Sequence, residues 1–235
     1  MALPERRAPA EVVGSALALA LVLALGLAAA PSASAADPAP VDADWLVREL
    51  RAGGYLVYFR HTSTVREDVE TEARNQRSGR LAIDDCSTQR NLNERGVREA
   101  RRQAGIVAAL GIPLAPVYVS RYCRARDHVR WFTGAVIEDD ALTPPRDAAK
   151  ARALQQRLAT PPPPGTNTAF FAHGGILWQA TDYDSVEAET FVFRAGSPPR
   201  LVAAIRMEDW DAIEARRGTC CAPRTFWGTG AAPPE

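Results

Sequence analysis

The chain has 235 residues with 28 basic and 28 acidic side chains, which leaves it formally neutral at pH 7. That balance excludes a nucleic-acid binder held by bulk charge. Nearly every basic residue is arginine, with Lys150 the single lysine. This is a bias of composition and by itself points to no ligand.

The first 36 residues have the pattern of a secretory signal peptide. Arg6 and Arg7 form a charged start, Val12 to Ala30 is almost wholly apolar, and Ala33-Ser34-Ala35 offers a small-x-small cleavage site. Residues 37–235 are then the mature domain, exported to the periplasm or secreted. The competing reading is an uncleaved anchor, since the apolar run is about as long as a spanning helix; contact with a membrane is expected only in that case. No cysteine follows the run, which disfavours a lipoprotein. Removing the two basic and two acidic residues of this leader leaves 26 of each, so the mature chain is neutral too. About 200 residues suit one domain with a sizeable core.

In chain order, Asp42 to Leu50 reads as a short helix with Trp45, Leu46 and Leu50 on one side, stopped by Gly53-Gly54. Tyr55 to Arg60 is a short apolar, aromatic run, the signature of a buried strand. Thr62 to Asn91 is polar with little periodicity and reads as a long excursion, a kind of loop that is often functional. Asn93 can cap a helix running to about Leu110, and Pro116 to Ser120 is a second strand. Cys123 to Thr133 is a helix, Glu138 to Pro145 an acidic loop and Arg146 to Leu158 a polar helix. Pro161 to Gly165 is a stiff linker. Ala169 to Ala172 is a third strand, followed by a short helix through Trp178. Two strands, Thr190 to Arg194 and Leu201 to Ile205, flank a turn at Gly196 to Pro199. A last helix at Asp209 to Arg216 precedes a loose Gly/Pro-rich tail from about residue 225. Strands alternating with helices predict an α/β fold with a mostly parallel sheet.

The four cysteines have no zinc-ligand spacing, and export permits disulfides. Cys86 with Cys123 is one plausible bridge. Adjacent Cys220 and Cys221 can pair with each other or reach another cysteine, and the spacing does not choose.

Two of the three histidines lie at strand exits, His61 after Arg60 and His173 before Gly174-Gly175. Ligands of open α/β sheets bind just beyond the carboxyl ends of the strands, so two imidazoles and an arginine there suggest an anion site. The polar run Asp85 to Leu92 has two readings: a pocket rim that turns Arg90 or Asn91 toward substrate, or a disulfide-anchored turn and helix cap.

Four segments, in order, resemble the motifs of the histidine phosphatase (phosphoglycerate mutase-like) superfamily. Phe59-Arg60-His61-Thr62-Ser63-Thr64 is similar to its Arg-His-Gly-Glu-Thr signature, and Leu92-Asn93-Glu94-Arg95-Gly96 to its Leu-Thr-x-x-Gly helix start. Ser120-Arg121-Tyr122-Cys123-Arg124-Ala125 is similar to its Ser-x-x-x-Arg-Ala motif, and Ala172-His173-Gly174-Gly175 to its second histidine motif. The resemblance spans roughly residues 55 to 175. It implies a three-layer α/β sandwich, with a mostly parallel central sheet flanked by helices. It also implies catalysis through a phosphohistidine. His61 would be the nucleophile. Arg60, Arg124 and His173 would be catalytic groups around the phosphoryl oxygens, and Thr64 would add a hydroxyl to phosphate binding. Neither metal nor cofactor is implied. A nucleophilic imidazole must offer a neutral nitrogen, so an acceptor such as a backbone carbonyl should hold the other one.

The chain departs from the motifs at Thr62 and Ser63, in place of Gly and Glu, and at His128, in place of Thr. We read His128 as a helix-surface or supporting residue, not a catalytic one. The usual acidic residue two positions after a leucine is missing, because Leu142 is followed by Thr143-Pro144. Glu138, Asp139, Asp140, Asp84, Asp85, Asp182 and Asp184 are the candidates left for a general acid. The expected activity is a metal-independent phosphatase acting on a small phosphorylated substrate or a cell-envelope phosphate. Without a strong acid it would favour good leaving groups. The alternatives are a non-catalytic phosphate-binding protein on the same fold and a phosphomutase. Oligomeric state is not readable from the sequence.

Overall fold

A computed structural model describes residues 39–144 and 147–220. The leader, Pro145 and Arg146, Cys221 and the Gly/Pro-rich tail lie outside these described residues. The elements are β1 (Val41–Asp42), α1 (Ala43–Ala52), β2 (Leu56–Arg60), α2 (Asp68–Arg77), α3 (Glu94–Ala109), β3 (Leu114–Val119), α4 (Cys123–Val129) and β4 (Val136–Glu138). They continue with α5 (Ala148–Ala159), β5 (Asn167–Ala172), α6 (Gly174–Thr181), β6 (Thr190–Arg194), β7 (Arg200–Ile205), α7 (Trp210–Ala215) and β8 (Thr219–Cys220).

Six strands form one sheet in the order β4-β3-β5-β2-β6-β7. β4, β3, β5 and β2 pair in parallel, whereas β6 is antiparallel to both of its neighbours. Only β6 therefore runs against the rest, and the sheet is mostly parallel as expected. Its central strands bury both faces, which is why their sequences are continuous apolar runs.

Alternation along each strand sorts the core into two layers. Tyr55, Val57 and Phe59 face one side and pack with Phe171, Val119 and Val192 beneath Leu46, Val47 and Leu50 of α1, Ile106 and Val107 of α3 and Trp210 and Ile213 of α7. Leu56 and Tyr58 face the other side with Phe170, Phe191 and Phe193, beneath Leu154 and Leu158 of α5 and Ile176 and Leu177 of α6. The result is the three-layer α/β sandwich. Among the described residues no helix is long and apolar enough to cross a membrane.

Three elements differ from the reading of the sequence. The excursion after Thr62 contains α2, a helix with no buried residue. A helix that buries nothing has no apolar stripe, so periodicity cannot reveal it. Its ties to the body are polar, with Asn75 Nδ2 donating to the Thr88 carbonyl at 2.9 Å. The segment before the acidic loop forms β4, a fully exposed edge strand pairing Val136–Glu138 with Val117–Val119. Near the described termini, β1 and β8 form a two-residue antiparallel pair that joins Val41 to Cys220.

Candidate active site

β2 and β5 lie side by side with Arg60 opposite Ala172, so the residues that follow them leave the sheet together. The His61 N–H donates to the Ala172 carbonyl at 2.9 Å, and the Ser120 N–H donates to the Phe171 carbonyl at 2.9 Å. Three adjacent strand ends thereby bring His61, His173 and Ser120 into one place. The two imidazoles lie 5.3 Å apart, centroid to centroid. His173 Nε2 is 2.8 Å from the Ser120 hydroxyl.

His61 Nδ1 is 3.0 Å from the Thr62 carbonyl. A carbonyl only accepts, so Nδ1 carries the proton and Nε2 keeps its lone pair. Burial, then the charges of Arg124, His173 and Arg60, hold the His61 pKa well below its ordinary value. His173 is held down likewise by burial and by Arg124, Arg60 and Arg90. Both rings are therefore neutral near pH 7, and His61 presents the unprotonated nitrogen that a nucleophile needs.

Arg60 and Arg124 are buried, and so is Arg90. Arg60 Nη1 donates to the Ser185 carbonyl, and a Cβ at Gly174 would press on that guanidinium and on the Ser185 hydroxyl, so a larger residue there would displace Arg60. Arg124 Nη1 donates to Glu72 at 2.7 Å and to the Arg90 carbonyl at 3.3 Å. Arg90 Nη1 stands 3.4 Å from Glu187. Among the described residues, the buried side-chain atoms without a hydrogen-bond partner include Arg60 Nε, Arg90 Nε and Nη2, Arg124 Nε and His173 Nδ1, which lie together at this cluster. Leaving such groups unsatisfied is costly. A set of them, mostly guanidinium donors around a neutral imidazole, matches a tetrahedral oxyanion.

Arg90 is buried beside Arg124 and Glu187, while Asn91 holds the turn, its Nδ2 donating to the Cys86 and Gln89 carbonyls. The Thr64 hydroxyl donates to Glu187 Oε1 at 2.6 Å and its N–H to Oε2 at 3.1 Å, so its proton is committed to a carboxylate. Asn93 caps α3, and a Cβ at Gly96 would collide with the Ser63 carbonyl; glycine lets the helix start abut the loop after His61.

Of the acids considered from sequence, Asp84, Glu138 and Asp140 pair with Arg121, and Asp84 and Glu138 also with Arg126. Asp85 caps the turn at Cys86–Thr88, and Asp139 is buried against Arg157. Asp182 is an exposed helix terminus. Asp184 alone bears on the cluster, through the charge of Arg60. The carboxylates that contact the cluster's arginines are Glu72 and Glu187, which the sequence reading missed. Among the described residues no group of three or more His, Cys, Asp or Glu could hold a metal ion.

His128 is fully buried rather than on the helix surface. Its Nε2 lies 2.8 Å from Gln103 Oε1, and Phe59 and Phe171 meet its ring edge-on. Burial holds its pKa down to about 3. All three histidines have folded-state pKa values below the unfolded value of about 6.5. The unfolded chain therefore takes up protons that the folded chain refuses once pH falls below that value. Stability is expected to be flat above pH 7 and to drop by about 1.4 kcal/mol per pH unit per histidine below pH 6. Urea midpoints at pH 7 and pH 5 check this, and equal midpoints would contradict it.

Cys86 and Cys123 form a disulfide across a sequence separation of 37 residues. It ties the turn before Arg90 to the helix start that carries Arg124. Replacing both cysteines by serine is expected to cost about 2–4 kcal/mol of stability and to lower activity by loosening both arginines. Chemical unfolding and kcat/KM of the double variant test the two effects separately. Cys220 is buried, and its neighbour Cys221 lies outside the described residues.

No protein-family model and no curated protein sequence matches the chain. Solved structures do. The chain is similar in fold to the protein histidine phosphatase SixA complexed with tungstate, at 14% identity and a TM-score of 0.44, covering 65% of this chain and 97% of that one. It is similar to the mycobacterial glucosyl-3-phosphoglycerate phosphatase Rv2419c, at 15% identity and a TM-score of 0.42, covering 63% and 95%. A third is the phosphoglycerate mutase of Thermus thermophilus, at 19% identity and a TM-score of 0.38, covering 64% and 97%. The fold class implied by the four motifs is the one observed.

Proposed function

We propose that the protein is a phosphatase that hydrolyses phosphomonoesters through a phosphohistidine on His61. The observation that carries this is the set of buried, partnerless guanidinium donors on Arg60, Arg90 and Arg124, with His173 Nδ1 beside them, around a neutral imidazole. In the first step the His61 Nε2 lone pair forms a bond to phosphorus while the bond to the leaving oxygen breaks. In the second step water attacks phosphorus and the P–N bond returns its electrons to His61. Splitting one displacement into two lowers each barrier, and the arginines stabilise the charge on the equatorial oxygens in both. No step calls on a metal.

We place the activity outside the cytoplasm, on a small phosphorylated molecule or a phosphate of the cell envelope. The leader pattern and the Cys86–Cys123 pair support that compartment. The test is turnover of an aryl phosphate by the full chain, with and without EDTA, followed by acid and base treatment of the quenched enzyme. Turnover unaffected by EDTA, with a phosphoryl group labile to acid and stable to base, is the expected result. Phosphate binding without turnover would leave a non-catalytic binding protein, and strict metal dependence would contradict the mechanism.

A further inference from the structure

Resting on the phosphatase reading above, we propose that Glu187 carries the leaving-group proton, which makes alkyl phosphomonoesters, with their poor leaving groups, the substrate class of this site. Three observations place it for that work. The loop around Glu187 is pinned to the nucleophile's own backbone. The Ala188 N–H donates to the His61 carbonyl at 3.0 Å, and the Arg60 N–H donates to the Glu189 carbonyl at 3.0 Å. The Ala188 carbonyl in turn accepts from Gln103 Nε2 at 2.7 Å. Glu187 therefore sits one residue from a direct bond to the residue that would attack phosphorus.

The side chain is also shared between two compartments. It holds Thr64 and stands 3.4 Å from Arg90 Nη1, at the cradle. It also lines an open groove of about 740 Å³, together with Thr64, Arg66, Val69, Arg90 and Met207. That groove is far larger than a phosphate and borders the cradle, so it suits the rest of an ester. Glu72, the other carboxylate at the cluster, is placed differently. Its Oε2 accepts from Arg124 Nη1 at 2.7 Å and from the Arg90 N–H at 2.6 Å, and Glu72 is not among the residues that line the groove.

The proton balance is simple. A monoanionic ester delivers its phosphate proton to Glu187 as the arginines take its oxygens. When His61 attacks, the breaking P–O bond leaves its electron pair on the alkyl oxygen, and Glu187 returns the proton there, releasing an alcohol. Water then attacks the phosphohistidine, gives one proton to Glu187 and keeps the other as the new P–OH. The proton leaves with dihydrogen phosphate, and the enzyme is restored. An aryl oxygen tolerates the developing charge and needs this proton much less.

The test compares kcat/KM for an alkyl phosphate and for p-nitrophenyl phosphate in the full-length wild type and in Glu187→Gln. This ratio reports events up to departure of the leaving group. General acid catalysis is worth on the order of 10²–10⁴-fold. The variant should lose about that much on the alkyl ester and at least ~100-fold less on the aryl ester. A burst of nitrophenol should also appear, because the water step loses its base. Equal losses on both esters would reduce Glu187 to a structural partner of Thr64 and Arg90, and no loss on either would remove it from the site. Should Glu187→Gln fail to fold, Glu187→Asp carries the same comparison with a displaced carboxyl. Failure of the phosphatase reading has a different signature: wild type inactive on both esters, or activity that survives His61→Ala.

Discussion

His61→Ala is expected to abolish turnover of every phosphomonoester, by at least ~10⁴-fold in kcat, while leaving phosphate binding measurable. The magnitude follows from removing the atom that forms the covalent bond, a loss that other groups in the site do not replace. Phosphate should still bind because the cradle donors sit on Arg60, Arg90 and Arg124, none of which uses the His61 side chain as a hydrogen-bond partner. The ring is fully buried, so its removal leaves a cavity and costs some stability. Circular dichroism and phosphate titration should therefore accompany the rate assay. A folded variant that binds phosphate and turns over nothing is the expected result. A folded variant within tenfold of the wild-type rate would remove His61 from the chemistry.

Arg124→Ala is expected to lower kcat/KM on an aryl phosphate by a hundredfold or more, and to destabilise the fold as well. The rate loss comes from withdrawing a guanidinium from the charge that develops on the phosphoryl oxygens; one such donor is worth roughly 3–4 kcal/mol. The stability loss has another origin. Arg124 is 1% exposed and pairs with Glu72, whose side chain is 12% exposed. Removing one partner of a mostly buried pair strands the other charge. The double variant Arg124→Ala/Glu72→Gln separates these effects. It should regain much of the lost stability, because no carboxylate is stranded, and none of the lost rate. Recovery of rate in the double variant would mean that Arg124 serves only to neutralise Glu72.

The parts of this molecule that were legible in the sequence are those where a local pattern records burial. Tyr55 to Arg60 and Ala169 to Ala172 are largely apolar runs because both faces of those strands are covered. His61 and His173 are the polar residues at which the runs stop, and the pairing of the two strands brings their rings to 5.3 Å. The Asn93 cap and the stripe of α3 were readable for the same reason, and so was the plausibility of Cys86 with Cys123. α2 was not, because its residues bury nothing and so leave no period. β4 was not, because a three-residue exposed edge strand looks like any loop.

The carboxylates of the site illustrate the other limit. Reading outward from the missing acid motif gave seven candidates, and only Asp184 bears on the cluster. Glu72 reaches Arg124 across 52 residues and Glu187 reaches Thr64 across 123. Nothing local marks either of them, since an acid on an exposed helix and an acid in a loop are ordinary surface residues. Within the same turn Arg90 is buried and Asn91 holds the bend, a division of labour that no local pattern announces.

By itself, then, the sequence determined the buried strands and the helices that cover them, the two strand ends that present imidazole, and the arginines beside them. Those features depend on side-chain size and polarity repeating over a few residues, which the chain carries wherever it is read. The tertiary structure alone decided that both imidazoles are neutral, that a third arginine joins the cradle, and which carboxylates stand beside it. Charge state and ion pairing depend on desolvation and on neighbours a few ångströms away, and in this protein those neighbours come from widely separated stretches of chain.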